Sequence, residues 1–461
     1  MTTSPNHHFQ GGIMAQENFP RRYHKLQPMK FLQTNFCYIS VFIAFILGLI
    51  IGVFIPIVYF TTNSTLNNTT ELKLRSTRTT LNDSDLNTQI LLKNIFINNS
   101  YSNLIGVNSS EFESEISSVK FINTSESIVL GHNQNWNIIK DNIYWGEGIE
   151  SALPRGFRGE ANTQWKNYIQ NGQGVAVRLE MGCGRMQNRL ITFKDGTQAC
   201  VRYRQNTDQI QGELFSFYLG QILQLPNLVP STISIIDTQS PLWSNLGIDL
   251  ISSAQWNSNR PVVLTKYIND LNSAQIPQIF KPIDRHLNVN DIKNLTNGLN
   301  FNQLSQMKRD QLIELAQWSD LIIFDYLTAN LDRIVNNLYN YQWNINIMDA
   351  PAHNLAKNIH TNLLIFLDNE SGLLHGYRLL KKYEIYHKIL LDNLCVFRRH
   401  TVNIIRQLKF DKNIGKILNE MFNMENSFKI KDILPTLPDK SIKILNERIT
   451  HVFNQIEKCK L

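Results

Sequence analysis

Hydrophobic and polar positions divide the 461-residue chain into four unlike parts. Residues 1–37 form a polar tail, and residues 38–60 are almost continuously apolar. Residues 61–141 are rich in Asn, Ser and Thr and show little periodicity. In residues 142–461, apolar positions recur with the periods of strands and helices, which indicates a folded domain. The pattern therefore predicts one globular body behind a tail, an apolar segment and a polar stretch.

The first half of this body is predicted to be rich in strands. Residues 174–180 alternate apolar and polar positions, and residues 189–193 and 198–204 form a hairpin signal with Asp195-Gly196 at the turn between them. A helix with one apolar face follows, and Asp208 is its predicted N-cap.

The second half is predicted to be mostly helical. A long apolar stripe covers residues 304–328, a short strand at 362–367 leads into Asp368, and the chain is helical beyond about 380. A strand-rich half followed by a helix-rich half is an α+β order, typical of a two-lobed protein-kinase fold, although other α+β pairs would fit it. The predicted lobes are 142–270 and 271–461.

The apolar segment is predicted to span a membrane. Its 23 residues can cross a hydrocarbon core of about 30 Å. Basic residues precede it, whereas the next charge beyond it is Glu71. The positive-inside rule then keeps the tail cytosolic and places the rest in the lumen, as a type II single-pass protein.

The polar stretch is predicted to be a glycosylated lumenal stalk. It is dense in N-x-Ser/Thr acceptor motifs, and a further motif lies in the folded part. The predicted glycosylation sites are Asn63, Asn67, Asn68, Asn82, Asn98, Asn108, Asn123 and Asn294.

Composition and charge exclude several classes of protein. A hydrophobic share of 43% and a charged share of 18% exclude a wholly disordered chain, a collagen and a coiled-coil rod. The net charge of +7 is small for this length, which argues against a dedicated nucleic-acid binder.

Cysteines agree with an oxidising compartment. Cys37 lies at the membrane boundary, and the other four are an even number with three possible pairings. We favour the two local pairs, Cys183–Cys200 and Cys395–Cys459. Zinc-type spacing is absent from the sequence, so a structural role is predicted.

Three groups of polar residues could carry chemistry. Asp332 and Asn337 follow the long apolar helix with the D-x-x-x-x-N spacing that can orient a substrate hydroxyl and a metal ion. Asp368 ends a buried strand, which is a common place for a metal–phosphate ligand. Arg202 alternates with apolar neighbours on a predicted strand and could pair with Glu213 on the next helix. A capped turn, a β-turn and a surface ion pair are the alternative interpretations.

Long stretches of the folded part resemble the four-jointed family. The resemblance runs from about Trp145 to Cys459 and rests on residues 145–161, 182–213, 317–338, 365–378 and 394–401. It implies a type II Golgi Ser/Thr kinase similar to other secretory-pathway kinases such as the Golgi casein kinase. The implied substrates are cadherin repeats of the Fat and Dachsous cadherins, whose phosphorylation tunes planar cell polarity and growth.

The resemblance also implies roles for individual residues. The triplet Asp368-Asn369-Glu370 matches the family's Asp-Asn-Glu motif, which activity requires. Asp332 matches the catalytic aspartate, Glu213 the helix glutamate, and Arg202 the position of the nucleotide-binding lysine. An arginine there keeps the charge but changes the donor geometry.

The implied cofactors are ATP and a divalent metal, Mn²⁺ or Mg²⁺. Asp368 would hold the metal with help from Asn337 or Glu213, and Asp332 would accept the proton of the substrate hydroxyl. Residues 182–184 (Gly-Cys-Gly) fall short of a full G-x-G-x-x-G loop, and residues 344–361 are the predicted insertion between the two aspartates. The motif that begins at Asn369 is formally a glycosylation sequon, which we predict is unused.

Two other functions fit parts of the sequence. A catalytically weak or inactive kinase-shaped protein, acting by binding or as a secreted ectodomain, would retain the same fold. A type II Golgi glycosyltransferase would need an Asp-x-Asp motif, and the nearby candidate, Asp83-Ser84-Asp85, lies in the stalk.

Overall fold

The structure is a computed structural model that describes residues 137–185, 187–282, 288 and 303–460. The predicted tail, the apolar segment 38–60, the stalk and all eight predicted glycosylation sites lie outside the described residues. In the part that is described, we find no helix with both the length and the apolar character needed to cross a membrane.

The described chain is a mixture of strands and helices, in the predicted order. The strands are β1 Ile139–Lys140, β2 Tyr144–Trp145, β3 Ala176–Met181, β4 Arg189–Phe193, β5 Gln198–Tyr203, β6 Ser231–Ile235, β7 Pro261–Lys266, β8 Leu271–Gln275, β9 Pro351–Asn358 and β10 Leu364–Phe366. The helices are α1 Glu147–Glu150, α2 Gly159–Gln170, α3 Thr207–Ile222, α4 Ile248–Ser253, α5 Arg309–Thr328, α6 Ile334–Asn340, α7 Leu374–Asp392, α8 Arg399–Asp411, α9 Ile414–Glu425, α10 Phe428–Ile433 and α11 Asp439–Cys459. Short 3₁₀ helices lie at Gln278–Phe280, Gln303–Gln306 and Ile345–Asp349.

Five strands form an antiparallel sheet in the order β3-β4-β5-β7-β6. The predicted hairpin is confirmed: β4 pairs with β5, and Gly196 takes a positive φ of 86° in the turn between them. Strand β5 lies at the centre of the sheet and alternates in burial, with Ala199, Val201 and Tyr203 buried in the lobe's own core. The alternation turns Arg202 to the opposite face, towards the other lobe.

Helix α3 connects β5 to β6 and packs into the core of the helical lobe. Its N-cap is Asn206 rather than the predicted Asp208. The Asn206 side chain accepts a hydrogen bond of 3.0 Å from the backbone N–H of Asp208. Both residue types cap well, but only Asn206 has the extended backbone that an N-cap requires.

The helical lobe is built on α5, which is buried along almost its whole length. Helices α7 and α11 pack against it, and α8 and α9 pack against α11. Beside them lies a three-stranded sheet in the order β10-β9-β8. Residues 344–361, predicted as an insertion, supply the middle strand of this sheet.

The first described residues pack on the helical lobe rather than on the five-stranded sheet. The Trp145 indole N–H donates to Ser319 Oγ of α5 at 3.1 Å, and Tyr144 forms a parallel bridge with Phe397. Residues 139–150 are therefore part of the core of the second lobe.

Both favoured disulfides are confirmed. Cys183–Cys200 ties the β3–β4 loop to β5, and Cys395–Cys459 ties the segment after α7 to the end of α11. Each lobe therefore carries one covalent constraint of its own.

Candidate active site

Arg202 is the centre of a group of charged side chains between the two lobes. It projects from β5, and its Nη1 donates to Glu213 Oε2 on α3. The same nitrogen lies 3.0 Å from Asp368 Oδ1, and Arg202 Nε lies 3.7 Å from Glu370 Oε2. The fold thus brings together four residues that the sequence predicted for the site. Burial would lower the pKa of Arg202, but the carboxylates of Asp368 and Glu213 outweigh burial and raise it.

The approach of α3 to the loop after β10 depends on glycine. A Cβ on Gly212 of α3 would lie 2.5 Å from the Glu370 carbonyl oxygen, and a Cβ on Gly372 would lie 2.5 Å from Ser216 Oγ. Neither distance is compatible with a side chain. Asp368 itself adopts a left-handed backbone with φ of 52°, which turns the chain out of the strand. The loop can therefore present consecutive carboxylate and amide groups to β5 and α3.

Glu370 is buried and joins the two lobes through further arginines. Its Oε1 lies 2.7 Å from Arg185 Nη1 of the β3–β4 loop, and its Oε2 lies 2.7 Å from Arg204 Nη2. Gln209 donates to the same carboxylate at 3.2 Å. Burial, together with the charge of Asp368, raises the pKa of Glu370, and the arginines oppose that rise.

Arg185 and Arg204 were not predicted as site residues, although the position of each in the sequence indicates that it lies near Arg202. Arg204 lies two positions after Arg202, hence on the same side of the extended chain. Arg185 follows the Cys183–Cys200 bridge, which holds its loop against β5. What the sequence alone could not show is the residue that both meet, since Glu370 lies more than 160 positions away.

Another arginine, Arg333, holds the Asp332 loop and the Asp368 loop together from inside the helical lobe. It is fully buried and pairs with Asp325 of α5. Its Nη2 donates to the Leu367 carbonyl at 2.8 Å and to Asn369 Oδ1 at 2.5 Å, and its Nε donates to the Asn354 carbonyl at 3.2 Å. Burial raises the pKa of Asp325 to about 6, while Arg333 opposes the rise.

The side chain of Asn369 forms its hydrogen bonds inside the helical lobe. Its Oδ1 accepts from Arg333, and its amide nitrogen donates to the Phe366 carbonyl at 3.1 Å. The amide is buried, so the structure leaves no space for a glycan at this sequon.

Asp332 lies on the short loop between α5 and α6, beside the Asp368 loop. Asn330 shapes that loop, because its Oδ1 accepts from the Asp332 N–H at 2.9 Å and from Ser371 Oγ at 3.1 Å. Burial raises the pKa of Asp332, and the negative charge of Asp368 raises it further. A carboxylate whose pKa is raised is a better proton acceptor than an ordinary aspartate.

Asn337 sits on α6, and its geometry is consistent with a ligand role. Its amide nitrogen donates to the Ile347 carbonyl at 3.0 Å, which leaves its buried Oδ1 without a hydrogen-bond donor. Asp368 Oδ1 also lacks a hydrogen bond, since its contact with Arg202 has the distance but not the geometry of one.

These oxygens suit a hard divalent cation that arrives with a phosphate. Within the described ranges, no group of three or more His, Cys, Asp or Glu side chains is arranged to hold a metal by itself. Mg²⁺ in phosphoryl-transfer sites takes one or two protein ligands together with phosphate oxygens and water. Asp368 fits that requirement, with Asn337 and Glu213 as further oxygen donors.

Comparisons with known proteins agree on one family. The profile of the four-jointed box protein middle domain matches residues 160–461. The chain is 51% identical over 358 residues to the extracellular serine/threonine protein kinase four-jointed of Drosophila melanogaster, covering 70% of this chain and 61% of that protein. It is 36% identical to four-jointed box protein 1 of Xiphophorus maculatus (70% and 72% covered) and 33% identical to that of Homo sapiens (69% and 70% covered).

Solved structures of the Golgi casein kinase, one of them with Mn/ADP bound, align with a TM-score of 0.42 and 14% identity. The alignment to the Mn/ADP form covers 64% of this chain and 75% of that kinase. The family assignment rests on the profile and on the relatives. This chain belongs to the four-jointed family.

Proposed function

We propose that this protein is a secretory-pathway Ser/Thr protein kinase that transfers the γ-phosphoryl group of ATP to a protein hydroxyl. One observation carries the proposal: the Arg202–Glu213 pair between strand and helix lies 3.0 Å from Asp368 at the end of a buried strand. Protein kinases need the same combination of a strand cation held by a helix glutamate and a metal-binding aspartate. The fruit-fly relative, which is named a Ser/Thr kinase, supports the activity.

Each side chain then has a defined task. Arg202, oriented by Glu213, binds phosphate oxygens, and its planar guanidinium can do so through two nitrogens where a lysine uses one. A divalent cation, when bound by Asp368 with Asn337 or Glu213, would supply charge neutralisation on the phosphates. Asp332 orients the substrate hydroxyl and takes its proton. Asn369 and Glu370 hold the Asp368 loop against Arg333 and the strand arginines.

The substrates and the location are proposed from the family resemblance. The substrates are cadherin repeats of Fat/Dachsous type, and the role is in planar cell polarity and growth. The location is the Golgi membrane in type II orientation, and a secreted ectodomain is the alternative. Two disulfides in the described part agree with an oxidising compartment.

A transfer assay tests the activity. The full chain, purified in detergent, is incubated with labelled ATP, Mn²⁺ or Mg²⁺, and cadherin repeats. We expect transfer by the wild type and a fall of at least about 100-fold for Asp368→Ala, because the metal-binding carboxylate is removed. Asp249→Ala, at an exposed aspartate on α4, is the matched control. Absence of transfer by the wild type, or undiminished transfer by Asp368→Ala, would contradict the mechanism.

A kinase-shaped protein that binds nucleotide without transfer is the second candidate. It is favoured by the arginines of the site, since Arg185, Arg202 and Arg204 all already contact Glu370. Thermal stabilisation by ATP and Mn²⁺ without label transfer would support this candidate over the kinase.

A further inference from the structure

Helix α7 presents a cationic face to solvent. The helix begins two residues after Gly372 of the site loop and has several exposed positions along one side. They include Lys381, Lys382, Ile385 and Lys388. Among the described residues, no carboxylate pairs with Lys381 or Lys388. Glu384 turns inward instead and pairs with the buried Arg448, so it does not neutralise this face.

Aromatic side chains from α6 and the turn after it extend the face. Tyr339 and Trp343 lie edge to face with ring centroids 4.9 Å apart, and the Nζ of Lys382 lies 4.4 Å above the Tyr339 ring. Trp343 is 67% exposed and Ile385 is 62% exposed. Large exposed apolar side chains grouped in this way mark interaction surfaces, and Trp and Tyr are the residue types that most often dominate binding. We call Tyr339, Trp343, Lys381, Lys382, Ile385 and Lys388 the α7 face.

The α7 face is connected to the candidate site through both of its helices. Helix α6 begins two residues after Asp332, and α7 begins six residues after Asp368. The two helices pack on each other. Since the rise is about 1.5 Å per residue, the exposed positions from Lys381 to Lys388 extend over roughly 10 Å of α7. Lys381 lies seven residues, about 10 Å, along α7 from Leu374, so a substrate bound along this face would be held roughly 10 to 20 Å along the helix from the loop that carries Asp368.

We propose that the α7 face docks an acidic, folded surface of the protein substrate, one that presents carboxylates around an exposed apolar residue. This rests on the proposed kinase function and deepens it. Unpaired lysines attract carboxylates and reject basic surfaces, so the charge selects the partner. Trp343 and Ile385, which are both exposed, supply the apolar contacts. Binding far from the reacting hydroxyl would hold the substrate while Asp332 orients the hydroxyl itself.

The test compares a folded and an unfolded substrate with the full chain. The variant is Lys381→Glu with Lys388→Glu, and the matched control is Lys440→Glu with Lys443→Glu, the same charge change at exposed positions of α11. The substrates are the cadherin repeats of the transfer assay and a short peptide that carries the same acceptor hydroxyl. We expect the KM for the repeats to rise about tenfold in the α7 variant. The kcat, the KM for ATP and the KM for the peptide should stay unchanged, and the control should match the wild type.

Two further measurements separate docking from a general structural effect. Raising the salt concentration should increase the KM for the repeats in the wild type but not in the α7 variant, because the screened attraction is already lost. Trp343→Ala should raise the same KM about fivefold without removing its salt dependence. Unchanged melting temperatures would show that these exposed substitutions leave the fold intact.

Several outcomes would overturn docking while leaving the kinase function in place. These are an unchanged KM for the repeats, an equal effect on repeats and peptide, or higher activity in the variant. Higher activity would mean that an acidic stretch of the chain itself, such as residues 111–115, occupies the face. If the wild type transfers phosphate to neither substrate, the kinase proposal fails. Docking is then judged by direct binding of the repeats, and equal binding by variant and control overturns it.

Discussion

The two lobes contribute opposite charges to the same site. The strand-rich lobe brings cations on one strand and one disulfide-bound loop, whereas the helical lobe brings carboxylates on two loops. The cations are Arg185, Arg202 and Arg204, and the carboxylates are Asp332, Asp368 and Glu370. Glu213 is an exception to this division of charge, because it is a carboxylate from the strand-rich lobe that pairs with an arginine of the same lobe.

Under the proposed function, this difference defines which charges a bound nucleotide would have to displace or offset. In the structure, the carboxylates of the helical lobe neutralise the arginines of the other lobe. The phosphates of a nucleotide would compete with Glu370 for those arginines and would add negative charge beside Asp368. A divalent cation would offset that charge. This is a physical reason to expect a metal ion in the site, independent of any family resemblance.

The largest expected effect comes from removing the buried arginine that supports the acidic loops of the helical lobe. Arg333→Met should lower the free energy of unfolding by about 3–5 kcal/mol, because it leaves Asp325 buried without its partner and frees Asn369. Denaturant unfolding followed by circular dichroism measures it. Arg378→Met is the control, since its ion pair with Asp208 is exposed and contributes less than about 1 kcal/mol. Equal losses in the two variants would contradict the role given to Arg333.

The next prediction compares the two disulfides, one in each lobe. Loop entropy predicts that Cys395→Ser with Cys459→Ser, which opens a separation of 64 residues, lowers the free energy of unfolding by about 4 kcal/mol. Cys183→Ser with Cys200→Ser opens a separation of 17 and should cost about 3 kcal/mol. Urea unfolding of both double variants gives the difference. A larger loss from the shorter loop would show that the Cys183–Cys200 bridge acts mainly through native contacts, such as that of Arg185.

The smallest effect concerns pH, because burial and a neighbouring carboxylate raise the pKa values of Asp332 and Glu370 on the acidic side of the site. Burial and Asp368 raise the pKa of Asp332, so its active, ionised form is lost as the pH falls through a value above the ordinary aspartate pKa of about 3.9. Arg185 opposes the rise in the pKa of Asp332, so Arg185→Gln should move the acid limb of kcat/KM to higher pH. Arg178→Gln, at an exposed position on β3, should not move the limb. A shift to lower pH would show that Asp332 is not the titrating base.

Local features of the sequence predicted much of the fold. The hairpin signal at Asp195-Gly196 identified β4 and β5, alternation put Arg202 on the face opposite its apolar neighbours, and the apolar stripe identified α5. The N-cap was misassigned because Asn206 and Asp208 are chemically equivalent caps, and only the backbone separates them. The strand β9 was not foreseen, since its sequence carries little alternation and its burial comes from pairing with β8 and β10.

The sequence alone determined the order of the elements and the face of β5 that carries Arg202, because both depend on neighbours in the chain, and it favoured the observed pairing among three possible cysteine pairings. Only the tertiary structure decided that Glu370 meets arginines from the other lobe and that Arg333 joins the Asp332 loop to the Asp368 loop. Those contacts require α3 to lie close to the Asp368 loop, which is possible because Gly212 has no side chain. Such a close approach is set by the packing of both lobes and has no signature in the local pattern.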